Sequence, residues 1–320
     1  VLSGSTNWTT TGLCTQLNNV LIVENPVIAD RFLQQWTELV AAGNDMPAAL
    51  KTSNSNPTSD ANISVYYAAS NNEAEFKPVL NLIAGAKEGA LFLMFMPGQS
   101  PLLSAFLARA QKNDIYVRGV VSRVTTSKNG TIGSVEGDVV KSGADPQSFH
   151  HDVLLPVGIS EKDKPSWQEA EFNVHEMLAA HLMAIVHSKV IVIDPFSVNC
   201  AVVTGSHNFS DSASKKNDEN LIIIRGNQKL ARSYALHVNG VYDHYSWRAY
   251  LASGGDPNQV YKPLDAWKPG GSRAQELAFW MDGPLPSQAG GSAKPRSKSV
   301  KKKPAAKKKP AKKPARKKRR

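Results

Sequence analysis

The sequence has little cysteine and no long apolar run, and each absence excludes a class of protein. Cys14 and Cys200 are its two cysteines. They allow one disulfide at most, which rules out a disulfide framework or a thiolate metal cluster and favours two buried free thiols. No stretch reaches the roughly 18–20 apolar residues that a membrane span needs. Hydrophobic residues still make up 41% of the chain, so a core is expected rather than general disorder.

Acidic residues are missing from the last part of the chain. The segment from Lys294 to Arg320 has no Asp or Glu but carries sixteen of the 38 Lys and Arg residues. The remaining 22 basic residues face 27 acidic ones, so the net charge of +11 is a property of this tail. Like-charge repulsion excludes a packed core here. The tail predicts salt-dependent binding to nucleic acid or to an anionic membrane, with a solubilising role as the alternative.

Strand-like and helix-like segments alternate through the middle of the chain, which predicts an α/β fold with a sheet covered by helices. Residues 52–62 are polar and are predicted to connect two units, while residues 126–170 are predicted to be a long loop or insertion. The predicted strands are 63–68, 90–96, 115–121, 190–194, 201–204 and 220–224, and the predicted helices are 73–88, 102–112, 169–182 and 228–245.

An internal repeat is the most informative pattern. Gly4-Ser5-Thr6-Asn7-Trp8 matches Gly205-Ser206-His207-Asn208-Phe209 at an offset of 201 residues. At the same offset Asn19 matches Asn220, and an apolar strand follows each asparagine. Agreement at this many positions without a gap indicates duplication of one structural unit.

The repeat predicts how the chain is divided. Residues 1–50 are the end of a first repeat whose front half would precede residue 1, and residues 60–250 are a complete second repeat. Residues 251–282 form an extension. Residues 283–320 combine a Gly/Pro/Ser linker with the basic tail and are predicted to be disordered.

A chemical motif stands just before the second Gly-Ser-x-Asn. It reads His187-Ser188-Lys189, four further residues, then Asp194. Together with the Gly-Ser-x-Asn that follows, this motif resembles the signature of the phospholipase D superfamily. The resemblance implies an α/β/α sandwich with a mixed sheet and a pseudo-two-fold repeat. It also implies phosphodiester chemistry through a phosphohistidine, with no metal or cofactor.

The residue types fit that chemistry on their own account. Residues two apart in a strand project to the same side, so His187 and Lys189 share one face. Imidazole can act as a nucleophile or as an acid, and an ammonium stabilises phosphate oxygens. Ser206 and Asn208, again two apart, can donate hydrogen bonds to the same oxygens.

The family resemblance assigns further roles. It implies two histidines, one from each repeat, and gives His187 the part of general acid and base. Glu219, thirteen residues after Ser206, is expected to orient a histidine, and Asn18 stands at its counterpart in the first repeat. Ser5 and Asn7 are expected to bind the phosphate from the first repeat.

The same expectations for the second repeat are Lys189 and Asp194 in the active site and Ser206 and Asn208 at the phosphate. The alternative for Asp194 is a structural role, in which it bonds backbone or a neighbouring side chain. Ten residues separate Asp194 from Gly205, where the family more often has about six, so a longer turn is expected at 195–199.

Simpler interpretations compete at other positions. His150, His151 and Asp152 could hold a metal, but adjacent histidines in a polar loop are usually solvated. His207 occupies the variable position of Gly-Ser-x-Asn and is more readily explained without a direct catalytic role. Trp8 and Phe209 correspond to each other and are expected to pack rather than stack on substrate.

Three functions are compatible with these patterns. The favoured one is cleavage or transfer of phosphodiester groups in phospholipids, and a metal-independent nuclease is the second. A catalytically silent protein that binds nucleic acid or membrane is the third. The expected partners are the phospholipid, a polyanion on the tail and the missing half of the first repeat. A cytoplasmic or peripheral-membrane location is favoured, with a signal peptide left open.

Overall fold

The computed structural model describes residues 1–121 except 15, 96, 99 and 113, then 153–154, 186–252, 276 and 279–281. Within these residues the dominant feature is an eight-stranded mixed sheet, and a separate two-stranded hairpin stands beside it. The strands are β1 Leu2–Gly4, β2 Val20–Ile22, β3 Thr58–Asp60, β4 Ile63–Tyr67, β5 Gly89–Met94, β6 Tyr116–Val121, β7 Val153–Leu154, β8 Val190–Ile193, β9 Ala201–Gly205 and β10 Asn220–Arg225.

The large sheet has the order β3-β4-β10-β9-β8-β5-β6-β7. The pairs β5–β6 and β6–β7 are parallel and the others are antiparallel. The central strands are buried along their whole length, because both faces of the sheet are covered. The helices are α1 Thr10–Cys14, α2 Pro26–Ala42, α3 Ala48–Asn54, α4 Phe76–Gly85, α5 Pro101–Lys112, α6 Asp211–Lys216 and α7 Gln228–Ala252.

Strand β5 shows how the two layers of helices divide the core. Ala90, Phe92 and Met94 belong to the cluster that packs under α4 and α5. Leu91 and Leu93 point the other way, into the cluster formed with α7. This alternation with a period of two places helices on both faces and produces an α/β/α sandwich.

The hairpin β1–β2 repeats the geometry of β9–β10. Leu2 pairs with Ile22 and Gly4 with Val20, while Val203 pairs with Ile223 and Gly205 with Leu221. The register is the same at an offset of 201 residues. A side chain at Gly4 or Gly205 would collide with the carbonyl oxygen of Asn19 or Asn220 respectively, so both hairpins require glycine for close backbone approach.

The α/β/α sandwich expected from the sequence is confirmed, and six predicted strands occur as β4, β5, β6, β8, β9 and β10. The prediction of a mere connection at residues 52–62 is wrong, because α3 ends there and β3 forms an edge strand. The turn after β8 joins two paired strands, so the longer spacing leaves the β8–β9 pairing intact.

Other predictions concern residues outside the described set: helix 169–182, most of the segment 126–170, and the tail. Cys200 is a buried free thiol. Within the part of the chain that the structure describes, no helix combines the length and apolarity needed to cross a bilayer.

Candidate active site

His187 and Lys189 lie together just before β8, where the hairpin β1–β2 meets the sheet. The Lys189 Nζ is 2.9 Å from Nδ1 and 3.1 Å from Nε2 of the imidazole, and it donates to the Ser5 carbonyl at 3.3 Å. Both residues are buried. The Phe95 ring closes the other side, with its centroid 4.3 Å from that of the imidazole and 5.1 Å from Nζ.

Asn18 fixes the orientation and the tautomer of His187. Its Nδ2 donates to the Gly12 carbonyl at 2.7 Å, so its Oδ1 faces His187 and lies 2.8 Å from Nδ1. Because Oδ1 can only accept, the neutral ring carries its proton on Nδ1. The lone pair is therefore on Nε2, the nitrogen available for bond making or proton transfer.

Burial and mutual repulsion set the charges of this pair. Burial, reinforced by the positive charge of Lys189, lowers the pKa of His187 to about 4, although a hydrogen bond to the Ser5 backbone opposes this shift. Burial also lowers the pKa of Lys189 to about 7, against the opposing attraction of Glu219. At neutral pH the imidazole is uncharged and the amine is poised between its two protonation states.

The same hydrogen bonds hold both Gly-Ser-x-Asn loops. The Ser5 N–H donates to the Asn19 carbonyl at 2.9 Å, and the Asn19 N–H donates to Ser5 Oγ at 2.9 Å. In the second copy the Ser206 N–H donates to the Asn220 carbonyl at 3.1 Å, and the Asn220 N–H donates to Ser206 Oγ at 3.0 Å. Each serine is thus joined by two hydrogen bonds, one in each direction, to the asparagine fourteen positions later, and we call this pair of bonds the serine latch.

The two asparagines also reach across to the opposite repeat. Asn19 Nδ2 donates to Thr204 Oγ1 at 2.7 Å, and Ser3 Oγ donates to Asn220 Oδ1 at 2.6 Å. Ser3 and Thr204 are themselves separated by 201 residues, so the two bonds are pseudo-symmetric partners. They join the hairpins β1–β2 and β9–β10 at the place where the two loops meet.

The predicted phosphate-binding residues have unequal environments. Val190 pairs with Thr204 at the end of the β8–β9 ladder, so Lys189 and Gly205 are the next residues at that end, and Ser206 begins the loop there. The Oδ1 of Asn208 is buried without a hydrogen-bond partner in the described residues. Asn7, its counterpart, is exposed, and its binding of phosphate stays a prediction.

Asp194 has the structural contacts that the sequence offered as the alternative to a catalytic role. Its carboxylate accepts hydrogen bonds from the backbone N–H groups of Lys87, Glu88 and Gly89 at 2.7–3.0 Å. Strand β8 separates it from Lys189 by five residue steps, about 16 Å of extended chain. Asp194 therefore fixes the start of β5, and the motif spacing reflects this contact rather than the chemistry.

Glu219 is not the residue that orients His187, since the side-chain partner of the ring nitrogen is Asn18. Glu219 instead accepts from Asn217 Nδ2 at 3.2 Å and acts on Lys189 through its charge. Its expected role toward a second histidine stays a prediction. The sequence marks Asn18 by its position thirteen residues after Ser5. It does not show that Asn18 contacts the histidine of the other repeat.

Phe95 and Asn19 also belong to the site, although the sequence did not predict a role for them there. Phe95 follows β5 and looks like a core residue in the sequence, and Asn19 attracted notice only as a repeat match. His150, His151 and Asp152 lie outside the described residues. Within the described residues no cluster of three His, Cys, Asp or Glu side chains could hold a metal ion.

Comparison with known proteins gives a consistent family. The family described as "cardiolipin synthase, PLD-like domain" matches residues 79–240. Proteins named phospholipase D from Rickettsia conorii and Rickettsia prowazekii are 38% identical over 79 residues and 52% identical over 50 residues. These matches cover 22% and 16% of this chain, and 37% and 22% of those relatives. The chain therefore spans well under half of the curated relatives it matches.

Solved structures with similar chain paths include Nuc from Salmonella typhimurium, a phospholipase D family member. It is 20% identical, has a TM-score of 0.35, and the match covers 58% of this chain and 93% of Nuc. Phosphatidylserine synthase of Haemophilus influenzae is 10% identical with a TM-score of 0.43, over 88% of this chain and 66% of that one. The family match spans half of the sequence and includes the His-x-Lys segment, so this chain belongs to the phospholipase D superfamily.

Proposed function

We propose that this chain supplies half of a phosphodiesterase active site that acts on phospholipids. The observation that carries the proposal is the placement of the buried His187 imidazole, whose Nδ1 faces Asn18 Oδ1 at 2.8 Å and whose Nε2 lies 3.1 Å from Lys189 Nζ. The Nε2 atom can take a proton from an attacking alcohol or water, or return one to the leaving group. The Lys189 ammonium stabilises the non-bridging oxygens of the phosphate.

In this mechanism His187 is the general acid and base, and a second histidine attacks phosphorus to form a phosphohistidine. His187 takes up a proton on Nε2 before this step and gives it to the leaving oxygen as the P–O bond to that alcohol breaks, which returns the ring to its neutral form. His187 then removes a proton from water or from an acceptor alcohol, which displaces the second histidine from phosphorus. The 320 residues contain a single His-x-Lys pair with this spacing to Asp, so we infer that a second copy of this chain can supply the second histidine.

An unpaired surface supports the need for such a half. Among the described residues, β1 and β2 pair only with each other, and Leu33, Trp36 and Val40 on α2 are exposed. When the two helices are aligned on their N-terminal capping residues, Asn25 and Asn227, the equivalent residues of α7 are buried against the large sheet: Ala235, Val238 and Tyr242. We infer that a sheet of the same kind covers α2 and brings the second histidine.

The preference for a phospholipid rests on two supports: the internal duplication, which is typical of lipid-directed members of the family, and the name phospholipase D that the Rickettsia relatives carry. The sixteen cations after position 293 favour a nuclease as the second candidate, because they would neutralise nucleic-acid phosphates. The same tail would attract an anionic membrane in the lipid case.

The test measures choline release from phosphatidylcholine vesicles and nicking of plasmid, both in the presence of chelator, over rising concentrations of the full chain. We expect choline release that appears as chains pair and that falls about 1,000-fold in His187→Asn. His244→Asn, a change on the exposed side of α7, is the matched control. Nicking without choline release would replace the lipid assignment by the nuclease, and neither reaction at any concentration would favour a silent binding protein.

A further inference from the structure

A second buried histidine stands directly behind the loop that follows β9. His207 occupies the variable position between Ser206 and Asn208 and is 1% exposed. The first copy of the loop has Thr6 at this position. The proposed mechanism gives His207 no task, yet both of its ring nitrogens are engaged.

One ring nitrogen holds the backbone of the loop. The Phe209 N–H donates to His207 Nδ1 at 2.9 Å. Phe209 has a φ of +58°, a left-handed conformation that a bulky residue adopts only when its surroundings impose it. Because Nδ1 accepts this bond, the proton of the neutral ring is on Nε2.

The other ring nitrogen is anchored in the protein interior. His207 Nε2 lies 3.4 Å from Glu75 Oε1 and 3.3 Å from Ser214 Oγ. Glu75 is 1% exposed and its second oxygen accepts from Ser70 Oγ. Burial pushes the pKa of Glu75 upwards, but hydrogen bonds from His207, Ser214 and Ser70 outweigh it and keep the pKa below its usual value.

The residue between these fixed points is the one predicted to contact phosphate. Asn208 is preceded by His207, whose N–H bonds the Asn220 carbonyl, and followed by Phe209, whose N–H is held by the imidazole. Its own buried Oδ1 has no partner within the described residues, and because an amide oxygen only accepts, the Nδ2 of the same amide is the group that can donate to a phosphate oxygen. The backbone on both sides is therefore immobilised while the amide remains available to a ligand.

We propose that His207 is a positioning residue that sets the turn at Phe209 and thereby aims the Asn208 amide at the bound phosphate, an inference that rests on the proposed function. Ser214 Oγ and the Glu75 carboxylate, 3.3 Å and 3.4 Å from Nε2, fix the other side of the ring. His207 touches no reacting atom; it acts through the loop backbone, much as a second layer of hydrogen bonds orients the ligands of a metal.

Two substitutions separate the two ring nitrogens. In His207→Asn the Oδ1 can take the place of Nδ1 and accept the Phe209 N–H. In His207→Gln the amide reaches the position of Nε2 and leaves the Phe209 N–H without its acceptor. His237→Gln, a change of a partly buried histidine on α7, serves as the matched control.

The experiment titrates the full chain with inorganic phosphate and follows the side-chain amide resonance of Asn208 and the backbone amide resonance of Phe209. We expect His207→Gln to weaken phosphate binding about tenfold, the effect of one lost hydrogen bond, and to shift the Phe209 resonance upfield. His207→Asn should stay within about threefold of the unchanged protein and keep the resonance.

Equal phosphate affinity in the unchanged protein and His207→Gln would overturn the positioning role while leaving the proposed function standing. Equal loss in the Asn and Gln variants, with equal loss of thermal stability, would overturn it in favour of a purely structural histidine. If the unchanged protein does not bind phosphate, the proposed function fails and this inference with it. If His207→Gln does not fold, Glu75→Gln takes its place, and an affinity unchanged within error would count against the proposal.

Discussion

The two Gly-Ser-x-Asn loops share one backbone design but have opposite surroundings. Their hairpins have the same register and their serines the same latch. In the second loop His207 and Phe209 are buried in the core, whereas in the first Trp8 is 75% exposed. The comparison teaches that the repeat preserves the scaffold that presents a polar group, while the surrounding packing is free to diverge.

The two repeats also supply different kinds of supporting residue. The first repeat supplies Asn18, the neutral group that orients His187, and the second supplies His207, which holds its own loop from behind. The second loop is thus supported by its own repeat, but the first is exposed at Asn7 and Trp8. We infer that the sheet proposed to cover α2 also packs against the first loop and stabilises it.

The largest expected effect compares the two aromatic counterparts. Phe209→Ala removes a fully buried ring from the core and should lower the free energy of unfolding by about 3–5 kcal/mol. Trp8→Ala should change it by less than about 0.5 kcal/mol, because the ring is mostly in solvent. Urea unfolding of both variants measures the difference, and similar losses would show that Trp8 is packed in solution.

The next effect tests the neutral orienting group. Asn18→Asp places a carboxylate where the Oδ1 now accepts from His187, and opposite charge favours the imidazolium. The pKa of His187, about 4 in this structure, should rise by about 1–3 units. Titration of the histidine resonances by NMR measures this rise. Asn199→Asp, on the exposed turn after β8, controls for the added charge, and an equal rise in that variant would contradict the contact.

The pH dependence of the free energy of unfolding is a second test of the His187 pKa. The unfolded chain binds a proton at about pH 6.5 but the folded site does so only near pH 4, so between these values the unfolded state holds more protons. Stability should therefore fall as pH falls through this window, by about 2 kcal/mol more than in His187→Asn. Unfolding curves at pH 7 and pH 4.5 decide this. At pH 7 the two proteins should unfold at nearly the same temperature, and a large loss in the variant there would indicate a core histidine.

The smallest effect concerns the two serine latches. Ser5 is buried, accepts from the Asn19 N–H and lies 2.8 Å from Asn18 Oδ1, whereas Ser206 is partly exposed. Ser5→Ala should cost about 1–2 kcal/mol and Ser206→Ala about 0.5–1 kcal/mol, since water can replace the lost partner more easily at Ser206. Thermal unfolding compares them, and the reverse order would mean that the second latch is the tighter.

The sequence predicted what depends on local spacing. The offset of 201 residues anticipated two hairpins of equal register, and residues two apart anticipated that His187 and Lys189 would meet. The apolar strands anticipated a sheet covered on both faces, because a buried strand has no polar side to show. These features follow from strand periodicity, which a sequence displays directly.

What the sequence could not give are contacts between distant segments. Asp194 looks catalytic from its place in the motif, but the N–H groups that it caps lie more than a hundred positions away, at residues 87–89. Asn18 stands where the second repeat has the carboxylate of Glu219. In the structure its amide is oriented by the Gly12 carbonyl so that Oδ1 contacts a histidine of the other repeat. β3 was missed because a three-residue polar edge strand is stabilised by its neighbour β4 rather than by its composition.

The Gly12 carbonyl determines which ring nitrogen of His187 can accept a proton, because it orients the Asn18 amide. A carboxylate has two like oxygens, so turning it over changes nothing for the imidazole it faces. An amide is polar from end to end, and one carbonyl oxygen decides which end Asn18 presents. In this protein the basic nitrogen of the imidazole is therefore selected by the peptide backbone of the short helix α1.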